Sequence, residues 1–409
     1  MSAAVVLPPH AIEIDTARMR RDRHAKLVDA MDQTGFDALV LGGTGNVNYA
    51  VGSTGMSSDV GRAFQEPTIA VVTRDGLHLF TPYPEGAPPE LPADRIHDPL
   101  YPEFPEGVAA LAGALRDVLG GGGITVGFDE MSAAAHALLP AAVPGLAVAD
   151  ASLALTPAKL YKTGDELECM RRAQYINEVA MYDVLEALRP GARQSDLSGI
   201  LFRRIFELGA AANSIDPIWQ VMPSAIADGP FTVHGDVAFP TNSTDRILRE
   251  GETLFVDSGI VYEGYCSDFG RTWFTGERIP DAKERDRYSR WKDVIHRVLA
   301  ITKPGTTGLE LNRAAREGED RKPWLDHFYL VHGLGTESAE MPFIGTDLGE
   351  EFDESIVLQP GMVMVLEPVI WDDGDGGYRS EDIVAVTDDG YRLLSSFPYV
   401  PFETGAVQW

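Results

Sequence analysis

Cysteine is nearly missing from this chain: Cys169 and Cys266 are the only two in 409 residues. Two thiols make no disulfide framework, and a cytoplasmic setting is the simplest expectation. Positive charge is also in short supply. With 34 Lys and Arg against 62 Asp and Glu, the formal net charge is −28. That balance excludes nucleic acid and anionic membrane as natural partners, since both would repel the protein. No apolar run is long enough to cross a bilayer. The opening MSAAVVLPPHAIEID has no basic flank and is broken by Pro8-Pro9, so it does not read as a signal peptide. The Gly-rich turn Gly42-Gly43-Thr44-Gly45 contains neither GxGxxG nor GKS/T, which leaves little basis for nucleotide binding.

What is present is ordinary soluble-protein composition, 44% hydrophobic and 23% charged. The length exceeds what one hydrophobic core supports, so two domains are expected, residues 1–159 and 160–409. In the first, Asp15 or Thr16 caps a helix to about Met31 whose Arg and Lys residues are read as a solvated face. Ala38–Leu41 is a buried-type strand. Thr68–Arg74 and Leu77–Thr81 flank a hairpin turn at Asp75-Gly76. Helices near Gly107–Leu119 and Ser132–Leu139 surround a strand at Ile124–Phe128. This α/β unit carries no constellation of catalytic side chains.

Leu160–Gly164 reads as the boundary. Thr163 and Glu166 then form a capping box for a helix ending at Pro190-Gly191. A second helix covers Ser195–Gly209. A later one, Ala282–Ile301, ends at Lys303-Pro304-Gly305, echoing Arg189-Pro190-Gly191. This repetition points to an internal duplication.

Between the helices lies the stretch on which the reading turns, GETLFVDSGIVYEGYCSDFGRTWF at 251–274. It reads as a hairpin, Thr253–Val256 entering Asp257-Ser258-Gly259 and returning as Tyr265–Phe274. A turn centred on Tyr262-Glu263 sets Asp257 directly opposite Asp268, on one face with Cβ atoms about 5 Å apart. Two buried carboxylates so placed repel, so that one is protonated or a cation lies between them. A pair of metals about 3.5–4 Å apart fits such a gap. Two solvated aspartates on an exposed hairpin remain the alternative at this point. Cys266 shares the face of Asp268 and is read as a small buried filler rather than a thiolate ligand.

Three further pieces bear acid or imidazole groups at strand ends: His332 in YLVHGLG, Glu367 closing GMVMVLE, and Glu381 opening the strand in YRSEDIVAV. Two Asp, one His and two Glu form a hard-to-borderline ligand set suited to Mn²⁺, Co²⁺, Fe²⁺ or Zn²⁺. At these residues the C-terminal half resembles the pita-bread metallopeptidase family, which includes prolidase, Xaa-Pro aminopeptidase, methionine aminopeptidase and the metal-free creatinase. The matches are VDSG (Asp257), CSDFGRT (Asp268), HGLG (His332), LEP (Glu367) and SEDIV (Glu381), with separations of eleven between the aspartates and fourteen between the glutamates.

The resemblance implies an α+β protein: a pita-bread catalytic fold after an N-terminal α/β creatinase-type domain. It implies two divalent ions, Mn²⁺ first, with Asp257 on one metal, His332 and Glu367 on the other, and Asp268 and Glu381 bridging. A metal-bridging hydroxide would attack a polarised amide carbonyl. Glu367 is the candidate for carrying the proton to the leaving nitrogen, and Arg271 and Asp382 are candidates for orienting the carboxylates. A homodimer is the family habit.

The sequence departs from the family at its substrate-handling histidines. Seven residues past the metal-binding His, Ala339 stands where the family has a second one. The family's upstream His falls on Thr241, Pro240 or Phe239, and His234, twenty-three residues before Asp257, is the candidate to replace it. The leading reading is therefore a hydrolase of a small peptide or amide, an Xaa-Pro dipeptidase or aminopeptidase. The alternative is a metal-dependent lyase on a small zwitterion such as dimethylsulfoniopropionate, its sulfonium held by Trp219, Phe231, Tyr265 and Phe269. A pita-bread module reduced to partner binding would have lost ligands, and here all five are present.

Overall fold

A computed structural model describes residues 12–52, 68–120, 123–225 and 245–405. The chain divides into two compact units between Lys159 and Leu160. In the first, Asp15 accepts from the backbone of Arg18 and starts α1 (Thr16–Thr34), which ends at Gly35 in the left-handed conformation. Next come β1 (Ala38–Leu41), α2 (Thr44–Val51), β2 (Ile69–Thr73), β3 (Gly76–Phe80) and β4 (Ile96–His97). They are followed by α3 (Pro105–Leu119), β5 (Ile124–Phe128), α4 (Ala133–Ala142), β6 (Leu146–Asp150) and α5 (Ser152–Leu160).

The six strands form one sheet in the order β4-β3-β2-β1-β5-β6. Strand alternation divides β1 between two cores. Leu39 and Leu41 pack with α1, α2 and α5, while Ala38 and Val40 pack with α3 and α4. The β2–β3 turn is Arg74-Asp75 rather than Asp75-Gly76, because Thr73 pairs with Gly76. Gly76 keeps the positive φ as the first residue of its strand.

The second unit repeats one plan twice. In its first half α6 (Gly164–Ala187), started by the Thr163/Glu166 capping box, and α7 (Gln194–Glu207) cover a sheet. That sheet contains β7 (Ala212–Val221), β8 (Thr253–Tyr262), the short β9 (Tyr265–Cys266) and β10 (Phe269–Phe274). The core between them includes Ile176, Val184, Leu201, Val256 and Trp273.

In its second half α8 (Ala282–Ile301) and α9 (Gly308–Arg316) share a core with a second sheet through Trp291, Ile295, Leu311, Met364 and Val384. The elements here are β11 (Val331–Gly333), β12 (Glu340–Ile344), α10 (Glu350–Ser355), β13 (Val363–Leu366), β14 (Val369–Asp372), β15 (Gly376–Arg379), β16 (Asp382–Val386) and β17 (Tyr391–Leu393). The sheet order is β12-β11-β13-β16-β17, with β14 and β15 paired apart.

The repetition extends to individual hydrogen bonds. Gly191 N donates to Leu248 O at 2.8 Å, and Gly305 N to Leu358 O at 2.9 Å. Three residues after each leucine, Gly251 and Gly361 turn the chain at φ 77° and 88°. Six residues farther on stand Asp257 and Glu367. Gly251 N then pairs with Thr275 O, and Gly361 N with Val386 O. Five residues before those acceptors are Gly270 and Glu381. Corresponding strand pairs in the two halves thus carry Asp257/Gly270 and Glu367/Glu381.

The hairpin differs from the expected register by two residues. Its turn is Glu263-Gly264, with φ 49° and 78°, because Tyr262 pairs with Tyr265. These two left-handed residues form the type I′ geometry favoured by strand twist. Replacing Gly264 with Ala forces a Cβ into a left-handed conformation that costs about 1 kcal/mol. The urea midpoint of Gly264→Ala should fall accordingly at unchanged slope. An unaltered midpoint would contradict the turn conformation.

Candidate metal centre

Asp257 pairs across the hairpin with Gly270, not with Asp268. A slip of two preserves the face, because side chains alternate with period two. Asp268, in the break between β9 and β10, therefore stays on the side of Asp257. Gly270 makes room: a Cβ there would lie 2.4 Å from the carboxylate carbon of Glu381. Glu381, between β15 and β16, is fixed by its N–H donating to Gly270 O at 3.0 Å. Asp257, Asp268 and Glu381 each present a carboxylate oxygen within 4.8 Å of the others.

β11 and β13 deliver the other two groups. His332 Nε2 lies 3.2 Å from Asp268 Oδ2 and 3.7 Å from Glu367 Oε1. Its Nδ1 is 2.9 Å from Gly333 O. A carbonyl only accepts, so Nδ1 carries the hydrogen and Nε2 turns its lone pair toward the two acids. Glu367 follows β13 directly, its N–H bonded to Leu330 O. All five side chains from the sequence reading converge and all are buried. His234 lies outside the described residues.

Arg379, at the end of β15, is a member of the group that the sequence reading missed. Its guanidinium contacts Glu367, lies 2.7 Å from Glu381 and 4.0 Å from Asp257, and stacks over Phe255. The arithmetic remains lopsided, with four buried carboxylates facing one guanidinium. Asp257 Oδ1, Glu367 Oε1 and Glu381 Oε2 are buried without a hydrogen-bond partner among the described residues. Burial, then the charges of Glu381 and Asp268, raise Asp257 well above the usual carboxylate range. Burial and Glu381 do the same to Asp268. Glu367 is pushed up to about 8, mainly by burial, with Arg379 pulling the other way. Bare acceptor oxygens, a lone pair on imidazole and uncompensated negative charge fit divalent cations with oxygen and nitrogen ligands.

Arg271 and Asp382 act one step back. Arg271 donates to Gly270 O at 2.8 Å, to the backbone of Glu381 and to Phe397 O. It pairs with Asp382 at 3.2 Å, and Asp382 also accepts from Ser395 and Tyr399. The pair therefore clamps the backbone that carries Glu381 instead of touching the ligand carboxylates. On the opposite side, α6 turns polar groups inward. Gln174 Oε1 accepts from Asp268 N at 3.3 Å, and Asn177 Nδ2 donates to Ser258 O at 2.8 Å. Gln174, Asn177 and Glu178 are buried polar residues of this helix, a support that only the fold reveals.

The aromatic cage expected from Trp219, Tyr265 and Phe269 does not form. Trp219 and Phe269 pack in the α6–α7 core, because Phe269 falls on the face of β10 opposite Asp268 and Gly270. Tyr265 donates its hydroxyl to Glu166 at 2.7 Å. Phe231 lies outside the described residues. Cys266 is a buried thiol, in no disulfide among the described residues, outside the converging carboxylate trio.

The raised acids fix the sign of a pH effect. Glu367 ionises near pH 8 in the folded, metal-free chain and near its ordinary 4.5 when unfolded. Between these values the folded state holds the extra proton, so stability falls as pH rises from 4.5 to 8. Asp257 and Asp268 act in the same direction. With chelator present, the urea midpoint should drop across this window, and saturating Mn²⁺ should abolish the drop. A pH-independent midpoint in chelator would contradict the carboxylate arrangement.

Comparison with known proteins identifies the family and the fold. The model for metallopeptidase family M24 matches residues 168–388, and that for the creatinase/prolidase N-terminal domain matches residues 23–157. The chain is 30% identical over 239 residues to the Xaa-Pro dipeptidase of Pyrococcus furiosus, covering 58% of this chain and 63% of that one. It is 30% identical over 293 residues to the probable dipeptidase PepE of Mycobacterium tuberculosis, covering 70% and 72%. Its fold matches the crystal structure of X-Pro aminopeptidase from Thermotoga maritima with a TM-score of 0.73 at 21% identity, over 92% and 98% of the two chains. The chain therefore belongs to metallopeptidase family M24, joining a pita-bread catalytic fold to a creatinase/prolidase-type N-terminal domain.

Proposed function

We propose that this metallopeptidase is a dinuclear enzyme that hydrolyses short peptides, with Xaa-Pro dipeptides or peptides beginning Xaa-Pro as substrates. The observation that carries the reading is the convergence of Asp257, Asp268, His332, Glu367 and Glu381, buried and with oxygens left bare. In this reading Asp257, Asp268, His332, Glu367 and Glu381 would hold the ions. Divalent ions held there would supply a water that ionises near neutral pH and a Lewis acid for the substrate carbonyl.

The protein's own groups do the rest. Glu367, a ligand carboxylate able to exchange protons, is the candidate to take a proton and pass it to the leaving nitrogen. Arg379 holds Glu367 and Glu381 at fixed separation. Arg271 and Asp382 keep the backbone of Glu381 in register with β10. Mn²⁺ is the ion proposed, because carboxylate oxygens dominate the set. Two buried cysteines that form no disulfide fit a reducing, cytoplasmic setting.

The lyase alternative gains no support, since the relatives compared are named as dipeptidases. Its aromatic cage is also lost from the described residues.

The direct check is Asp268→Asn, which removes a charge that both ions share while conserving size. Hydrolysis of an Xaa-Pro dipeptide should fall by more than the roughly 10–100-fold typical of losing a residue that only orients a ligand. Bound metal should fall with it. Retention of both in the variant would refute the assignment.

A further inference from the structure

Three aromatic side chains near the centre are only half-buried: Phe328, Tyr329 and Phe343. The Tyr329 ring lies 5.1 Å from the His332 ring at an interplanar angle of 57°. It stacks on Phe328 at 4.2 Å and meets Phe343 at 5.5 Å. Three ring contacts fix its position next to a candidate metal ligand. Its hydroxyl has no hydrogen-bond partner among the described residues. By contrast, Tyr49 donates to Ala158 O, Tyr265 to Glu166 and Tyr399 to Asp382.

The neighbours define what this hydroxyl can do. Asp257, Asp268, Glu367 and Glu381 are acceptors when ionised, His332 spends its N–H on Gly333 O, and Arg379 is drawn onto three carboxylates. Tyr329 has a hydrogen to give. An ordinary phenol keeps its hydrogen at neutral pH. Ala339, just before β12, contributes no polar side chain.

We propose that Tyr329 is a substrate-contacting residue whose hydroxyl donates a hydrogen bond to the carbonyl oxygen of the bond being cleaved. The proposal rests on the peptidase reading above. As water adds to the carbonyl carbon, negative charge gathers on that oxygen, and a fixed donor is worth more there than to the neutral ground state. The carbon–nitrogen bond then breaks, and the nitrogen takes the proton that Glu367 accepted from the attacking water. Tyr329 keeps its own proton throughout. The flanking Phe328 and Phe343 rings give an apolar edge suited to a substrate's pyrrolidine ring.

Tyr329→Phe tests this, because it conserves the ring contacts and deletes the donor. With an Xaa-Pro dipeptide, kcat should fall roughly 10²–10³-fold while KM, bound metal and Tm stay close to those of the unaltered enzyme. A kcat within about twofold at equal metal content overturns the proposal, since normal discrimination by one donor is far larger. If the unaltered protein cleaves no Xaa-Pro peptide, the peptidase reading itself has failed. Tyr329 is then judged by titrating acetohydroxamate into the Mn²⁺-loaded protein. Binding about tenfold weaker in Tyr329→Phe, the loss expected for one charge-assisted hydrogen bond, supports the donor role, and equal binding rejects it.

Discussion

Repulsion among Asp257, Asp268, Glu367 and Glu381 is the constraint around which the second unit is built. Four carboxylates in a buried pocket with one guanidinium are unfavourable by themselves. They stay together because their backbones are held by strand pairing. Asp257 sits within β8, hydrogen-bonded on both sides by β7 and β10. Leu366 pairs with Asp382, so Glu367 and Glu381 flank the next position outward. The side chains cannot separate without breaking those ladders, and a cation resolves the conflict more cheaply than unfolding does.

The internal duplication explains how one chain gathers such a set. Each half offers a Gly-turn, a strand and an acid six residues on, Asp257 in one and Glu367 in the other. The halves then diverge where they meet. Gly270 occupies the place that Glu381 has in the second half, and its missing side chain is what lets the Glu381 carboxylate enter. Arg271 ties the two by bonding the backbones of Gly270 and Glu381 together. Its buried charge is matched by Asp382, which Ser395 and Tyr399 also satisfy.

Much of this was legible in the sequence, for physical reasons that vary by element. The helices at 164–187 and 282–301 announce themselves through capping boxes and apolar stripes, which are local signals. The five candidate ligands interrupt or border apolar strands, where a charge without purpose is costly. Register was harder. A turn on Glu263-Gly264 needs Glu263 in a left-handed conformation, which composition alone does not advertise, and only the two-residue period rescued the shared face of Asp257 and Asp268. Arg379 went unseen because an arginine on a β-strand usually reaches water, and only the tertiary fold turns it onto three acids. The aromatic cage failed because face alternation sends Phe269 into the core, while the rings beside His332 come from an irregular segment with no periodicity to read.

The central claim is that these five side chains hold a pair of divalent ions. Metal content of the purified, Mn²⁺-equilibrated protein, combined with anomalous scattering from its crystals, tests it most directly. The account predicts two manganese peaks per chain, both bounded by Asp257, Asp268, His332, Glu367 and Glu381, with Asp268 and Glu381 touching each. A chain that binds no metal, or that binds it away from these residues, would contradict it.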